Sequence, residues 1–208
     1  FVYKNSPAAS AGIYRGMIIK KINNNDASLA IETGNIYNLL NQNTNTYEII
    51  DSLGQTKSIT ISSSKFYLNT VLSQKIIEAN GVKVGYLAFE TFINPSLKEL
   101  ENAFQDFSSQ NISEFVLDLR YNGGGYVHIA NKLAASIGGS RVEGKVFNNY
   151  VYNNDLSDFN ESENFTTVTS SINVSRVFIL VTGRTASASE LIINSLRPFM
   201  DVKLIGSV

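Results

Sequence analysis

The chain of 208 residues has no cysteine, no tryptophan, three prolines and one histidine. Without cysteine there can be no disulfide framework, no thiolate nucleophile and no cysteine-ligated metal. A lone histidine, His128, excludes a metal site made of several histidines of this chain. It also makes any Ser-His-Asp triad depend on that one residue. Charge is scarce as well: 17% of residues are charged and the formal net charge is -1. That balance leaves no electrostatic footprint for nucleic acid or an anionic membrane. No apolar run approaches the ~20 residues that span a bilayer. What is present is a hydrophobic content of 43%, ample for the core of one large domain or two small ones. The cysteine-free, Asn/Ser/Thr-rich composition suits an extracytoplasmic protein. The sequence opens at Phe1 without an initiator methionine and closes at Val208 inside an apolar stretch, so it reads as an excerpt of a longer protein.

Two compositional halves are visible. Residues 1 to about 63 form short, polar-spaced segments. Phe1-Val2-Tyr3 and Met17 to Ile22 read as strands, with Pro7 opening a helical turn between them and Gly12 closing it. Leu29 to Leu40 has helical spacing. Tyr47 to Ile50 and Ser58 to Ile61 alternate like a hairpin around Ser52-Leu53-Gly54, and Ser62-Ser63-Ser64 reads as a linker. Residues 64–208 have an α/β rhythm. Asn80-Gly81 predicts a hairpin between Ile76 to Glu78 and Val82 to Leu87. Ser96 to Phe107 places Leu97, Leu100, Ala103, Phe104 and Phe107 on one helical face. Phe115 to Leu119 and Val177 to Val181 read as buried strands, each leading to a helix, Ile129 to Ile137 and Ser187 to Leu196. Asn153 to Ser171 reads as an irregular loop.

Two segments could carry chemistry. In Asp118-Leu119-Arg120-Tyr121-Asn122-Gly123-Gly124-Gly125, three glycines follow a buried strand and lead into a helix. Glycine lets the backbone approach a ligand closely, and helix-start amides attract negative charge. Such a loop is a phosphate cradle, an oxyanion hole or simply a tight turn. The dinucleotide pattern fails because His128 stands at the third glycine position, and no Gly-Lys-Ser/Thr follows to make a P-loop. The second segment, Thr182-Gly183-Arg184-Thr185-Ala186-Ser187-Ala188-Ser189-Glu190, also joins a buried strand to a helix. Small neighbours leave a serine hydroxyl reachable there, although the same residues would serve as a helix cap. Together they are the parts of an acyl-transfer site that lacks a base.

These two motifs, in this order, resemble the carboxyl-terminal processing proteases, the S41 family of serine peptidases. Ser6-Pro7-Ala8-Ala9-Ser10-Ala11-Gly12 through Ile22-Asn23 is similar to the middle of that family's PDZ domain. The resemblance implies an α/β (α+β) chain: a partial PDZ domain over residues 1–63, then a β-spiral core of the crotonase/Clp-protease kind over 64–208. It implies Ser187, not Ser189, as nucleophile. It implies an oxyanion hole from the Ala188 amide and a Gly-loop amide, Gly124 first, with Gly123 and Gly125 as alternates. The family's base is a Lys about two dozen residues past the serine, which falls just beyond Val208; Lys203 comes too early. No metal or organic cofactor is implied. The implied partners are protein or peptide substrates with exposed C-termini, with a homo-oligomer as an option and no nucleic acid. The sequence departs from the family at Gly123, where proline is usual, and at Met17, where aspartate is usual. Asp118 and Arg120 read as supports of the loop, and His128 as an ordinary polar residue at a helix start. The rival readings are a binding or scaffold protein with an incomplete site and, more remotely, a crotonase-like acyl-thioester enzyme.

Overall fold

The computed structural model describes residues 2–207. The chain divides into two compact units, 1–68 and 69–208, a few residues beyond the boundary expected at the serine run. Phe1 lies outside the described residues; Val2 and Tyr3 are not in a strand, and Tyr3 instead packs its ring against Phe66 at 6.0 Å.

The first unit starts with α1 (Pro7–Ser10), whose N-cap Ser6 accepts from the Ala9 amide at 3.1 Å. Its sheet has the order β2-β1-β3-β4, built from β1 (Ile18–Ile22), β2 (Asn25–Asp26), β3 (Thr44–Ile50) and β4 (Thr56–Ser62). The single helix expected over Leu29 to Leu40 is two: α2 (Ala27–Glu32), capped by Asp26, and α3 (Ile36–Leu40). The break falls at Thr33-Gly34-Asn35, where Gly34 has φ +74°, a left-handed conformation that ends helices. The small core gathers Ile22, Ala30 and Leu39, with Ile36 and Tyr47 packed on it.

The second unit is organised by a five-stranded sheet in the order β11-β10-β7-β6-β5. β5 (Val71–Ala79) and β6 (Val82–Phe89) form the expected hairpin, with Asn80 and Gly81 both at positive φ as a type I′ turn requires. β6, β7 (Glu114–Asp118), β10 (Arg176–Val181) and β11 (Asp201–Gly206) run parallel. Helices α4 (Ser96–Ser109), α5 (Val127–Gly138) and α6 (Ala188–Leu196) complete the unit. Leu100, Ala103, Phe104 and Phe107 are the buried face of α4. Phe104, Phe107 and Phe115 meet at ring separations of 5.4 to 6.0 Å. Burial stabilises each such ring by about 1.5–3 kcal/mol relative to exposure, and tilted contacts suit the ring quadrupoles. None of the helices described is long and apolar enough to cross a membrane.

The stretch expected as a loop, Asn153 to Ser171, contains more order than its polarity suggests. Residues 154–159 form 3-10 turns, and β9 (Glu161–Asn164) pairs antiparallel with β8 (Val146–Tyr150). Glu-Ser-Glu-Asn has no hydrophobic alternation to announce a strand. Its pairing is fixed by polar contacts instead: Glu163 accepts from the Tyr150 hydroxyl and from Asn131 Nδ2 at 3.1 and 2.7 Å.

β7 and β10 lie side by side, with Leu180 opposite Asp118. Their C-termini therefore emerge at the same edge, where open α/β sheets carry their ligands. At that edge Asp118 is clamped. Arg120 donates to both carboxylate oxygens at 2.6 to 3.1 Å and the Tyr86 hydroxyl donates at 2.7 Å. Burial pushes the Asp118 carboxyl up, but Arg120 and Tyr86 outweigh it and hold it below the ordinary carboxylate value. Burial and the facing carboxylate push the Tyr86 hydroxyl up. A carboxyl whose folded value is lowered stabilises the fold fully above its unfolded value of about 4. That contribution is lost as pH falls through the lowered folded value. Breaking a buried pair costs about 3–5 kcal/mol; Arg120 is 37% exposed, which favours the lower end. Asp118→Asn is therefore expected to lower the melting temperature by about 5–10 °C at pH 7. The gap to wild type should narrow below about pH 4. A gap independent of pH in a calorimetric series contradicts this account of the clamp.

Candidate active site

The Gly-rich loop leaves the end of β7 and is fixed on both sides. Toward β6, the Gly124 carbonyl accepts from the Phe92 amide at 3.1 Å and the Thr91 hydroxyl at 3.3 Å. The Tyr126 amide donates to the Phe92 carbonyl at 2.8 Å. Toward the serine segment, the side of Gly124 that would carry a Cβ lies 2.8 Å from Ser187 Cβ and 3.0 Å from the Ala188 amide nitrogen. Gly124 is buried at φ +106°. Only glycine combines that backbone angle with that approach. The two segments singled out from the sequence thus meet in space, through Gly124 on one side and Ser187-Ala188 on the other.

The serine segment is tied to the Gly loop's root by hydroxyl groups. Thr185 donates to the Leu119 carbonyl at 2.8 Å, Thr182 donates to the Arg120 carbonyl, and the Leu119 amide donates to Leu180 at 2.9 Å. Ser187 stands at the N-cap position of α6 with φ 57° and ψ -119°. Such a backbone is strained for any residue with a Cβ and costs about 1–3 kcal/mol. Glu190 supports it by accepting from the Ser187 amide at 2.8 Å. Ser187 is exposed, whereas Ser189 is fully buried and donates its hydroxyl to the Asn122 carbonyl at 3.0 Å. Two serines two residues apart are therefore distinguished: one faces outward from a strained strand-to-helix turn, the other is a structural tie. Ala188 is buried directly behind Ser187 as the first residue of α6, where amides lack intrahelical partners.

The Gly124 amide donates to Asn122 Oδ1 at 2.9 Å. It does not point freely at the space before Ser187 in this state. Gly123 and Gly125 are exposed. Asn122 itself was not singled out from the sequence, where it reads as one more turn residue; its only signal is its place directly ahead of three glycines. The Thr182 and Thr185 ties were likewise hidden among small polar residues.

No Lys or His nitrogen among the described residues hydrogen-bonds to Ser187. His128 is exposed in the first turn of α5, its ring stacked on Tyr126 at 5.5 Å. Lys203 is mid-strand in β11 and pairs with Asp201 at 3.0 Å. A cavity of about 170 Å³ lies beside the serine segment, bounded by Thr182, Thr185, Glu190, Arg197 and Leu204. No cluster of residues suited to a metal ion occurs among the described residues.

Residues 83–208 match the model of Peptidase family S41. Over 98% of its length the chain is 26% identical to a probable CtpA-like serine protease of Staphylococcus saprophyticus, spanning 40% of that protein. Over 57% of its length it is 31% identical to carboxyl-terminal-processing peptidase 2, chloroplastic, of Arabidopsis thaliana, spanning 24% of it. The chain therefore spans less than half of either curated relative. Among solved structures, a putative S41 protease from Bacteroides fragilis superposes with a TM-score of 0.81 at 30% identity, covering 99% of this chain and 57% of that one. The photosystem II D1 C-terminal processing protease shares the fold, with a TM-score of 0.55 at 20% identity over 97% of this chain and 54% of its own. The family model covers more than half of the chain, and the Gly-rich loop and serine segment that it spans are the two that converge in space: the chain belongs to peptidase family S41.

Proposed function

We propose that the chain carries the nucleophile and oxyanion hole of a serine endopeptidase that cuts proteins near their C-termini. The observation that supports this most is the contrast between Ser187 and Ser189. An exposed serine held at a strained turn against a buried glycine is suited to attack; a buried serine bonded to a carbonyl is not.

Ser187 Oγ adds to the scissile carbonyl carbon, and the carbonyl's π electrons move to oxygen. The Ala188 amide and a Gly-loop amide, Gly124 first, donate to that oxygen. Oxyanion donors of this kind contribute about 10²–10³ in rate each. The hydroxyl proton needs an acceptor, because a serine hydroxyl is too weakly acidic to attack unaided. The resemblance assigns this role to a neutral Lys following β11, outside these 208 residues. Desolvation would lower that ammonium's pKa toward neutrality. The Lys then returns the proton to the leaving amine, and water releases the acyl group from Ser187. No metal or organic cofactor enters these steps.

In this reading residues 1–63, within the compact unit 1–68, are the PDZ part. Such a domain would hold a substrate tail as an added strand with side chains in pockets. The β-spiral form of the core, an extracytoplasmic location and a homo-oligomer belong to the same reading.

In the full-length protein, Ser187→Ala is expected to reduce cleavage of a peptide substrate by about 10⁴-fold or more. Ser189→Ala should stay within about tenfold of wild type, since it removes one neutral hydrogen bond. Equal residual activity in the two variants refutes the assignment of the nucleophile. Ser187→Gly relieves the positive φ and is expected to raise the melting temperature by about 2–6 °C while abolishing cleavage. A lowered melting temperature for that variant contradicts the claim of strain.

A further inference from the structure

Asn122 is completely buried and uncharged, yet it bonds to the end of β6, to the Gly loop and to the serine segment. Its amide donates to the Leu119 carbonyl at 3.0 Å, at the root of the Gly loop. Its own carbonyl accepts from the Ala186 amide at 3.3 Å and the Ser189 hydroxyl at 3.0 Å, holding the residues on either side of Ser187. Its side-chain Nδ2 donates to the Phe89 carbonyl at 3.1 Å, at the end of β6. Its Oδ1 accepts from the Gly124 amide at 2.9 Å, an Asx turn that sets the orientation of that peptide group.

We propose that Asn122 is a positioning residue for the oxyanion hole, an inference that rests on the serine-peptidase reading above. Before substrate arrives, its carboxamide oxygen holds the Gly124 N–H, while the Cβ side of Gly124 packs on Ser187. When Ser187 attacks, the substrate oxygen becomes an anion. Hydrogen bonds to an ionised acceptor are roughly twice as strong as neutral ones, so the Gly124 N–H passes from Oδ1 to the oxyanion. Only the Gly123–Gly124 peptide group turns; the rest of the loop stays anchored, because Nδ2 stays on Phe89 and the backbone carbonyl stays on the serine segment. A donor that is held ready and released only to the developing anion acts on the transition state and leaves the ground-state complex nearly untouched.

The test uses the full-length protein and three variants. Asn122→Ala removes both side-chain bonds. Asn122→Ser keeps a hydroxyl that can accept the Gly124 amide in the same turn, more weakly than Asn. Asn131→Ala is the control: Asn131 is also buried and bonds to Glu163, the Asn164 carbonyl and the Thr166 amide, all in or next to the β8–β9 hairpin. The readouts are kcat and KM on a peptide, the rate of Ser187 labelling by a fluorophosphonate, and the melting temperature. Asn122→Ala should lose about 10²-fold in kcat and in labelling rate with KM within about threefold. Asn122→Ser should recover part of the kcat. Asn131→Ala should lower the melting temperature but keep kcat within about threefold. If kcat of Asn122→Ala falls no further than that of the control, or KM rises with kcat unchanged, the inference is overturned while the peptidase reading stands. If Asn122→Ala does not fold, a kcat for Asn122→Ser equal to wild type overturns it just as well. A wild type that neither cleaves peptides nor reacts with the phosphonate overturns the peptidase reading and this inference together.

Discussion

The hydrogen bonds of Asn122 join two loops that are 67 residues apart in sequence, and the geometry of the site depends on that union. The union is possible because β7 and β10 are parallel neighbours in register, so both chains leave the sheet at the same edge. Each loop then needs a partner for backbone groups that the sheet no longer satisfies, since buried polar groups left unpaired are costly. Asn122, Thr182 and Thr185 meet that need between the loops. The consequence is a serine segment whose position is set by the Gly loop. Neither loop would be expected to hold its shape without the other.

Strain and support are balanced around Ser187. Its positive φ is unfavourable, and what opposes it is local: the Glu190 carboxylate on its amide, the start of α6 behind it and Gly124 packed in front. The Asp118–Arg120–Tyr86 clamp lies at the end of β7. Its charges are mutually satisfied, and they support the loop.

Much of this was legible in the sequence where hydrophobic pattern and turn chemistry agree. The Asn80-Gly81 hairpin, the amphipathic face of α4 and the buried strands Phe115 to Leu119 and Val177 to Val181 show up in apolar spacing, because burial demands it. The two chemical segments were legible through glycine and serine spacing, and their resemblance to a family supplied the roles. Elements held together by polar contacts were not legible. β9 carries Glu-Ser-Glu-Asn, which no hydrophobic period marks. The break between α2 and α3 rests on one glycine inside a helical pattern. Asn122 looks like any turn residue until its five partners, distributed from Phe89 to Ser189, are seen together. Long-range hydrogen bonds leave no periodic trace in a sequence.

The central claim is that Ser187 attacks and that Ala188 and Gly124 receive the resulting charge. A crystal structure of the full-length protein with a peptide boronic acid tests it most directly, because the tetrahedral boronate carries an oxygen where the oxyanion would be. The account expects a covalent bond from Ser187 Oγ to boron. It expects one boronate oxygen within about 3.2 Å of both the Ala188 and Gly124 amides, with the Gly124 amide released from Asn122. A boronate on another residue, or one on Ser187 with its oxygens turned to solvent and the Gly124 amide still on Asn122, would contradict it.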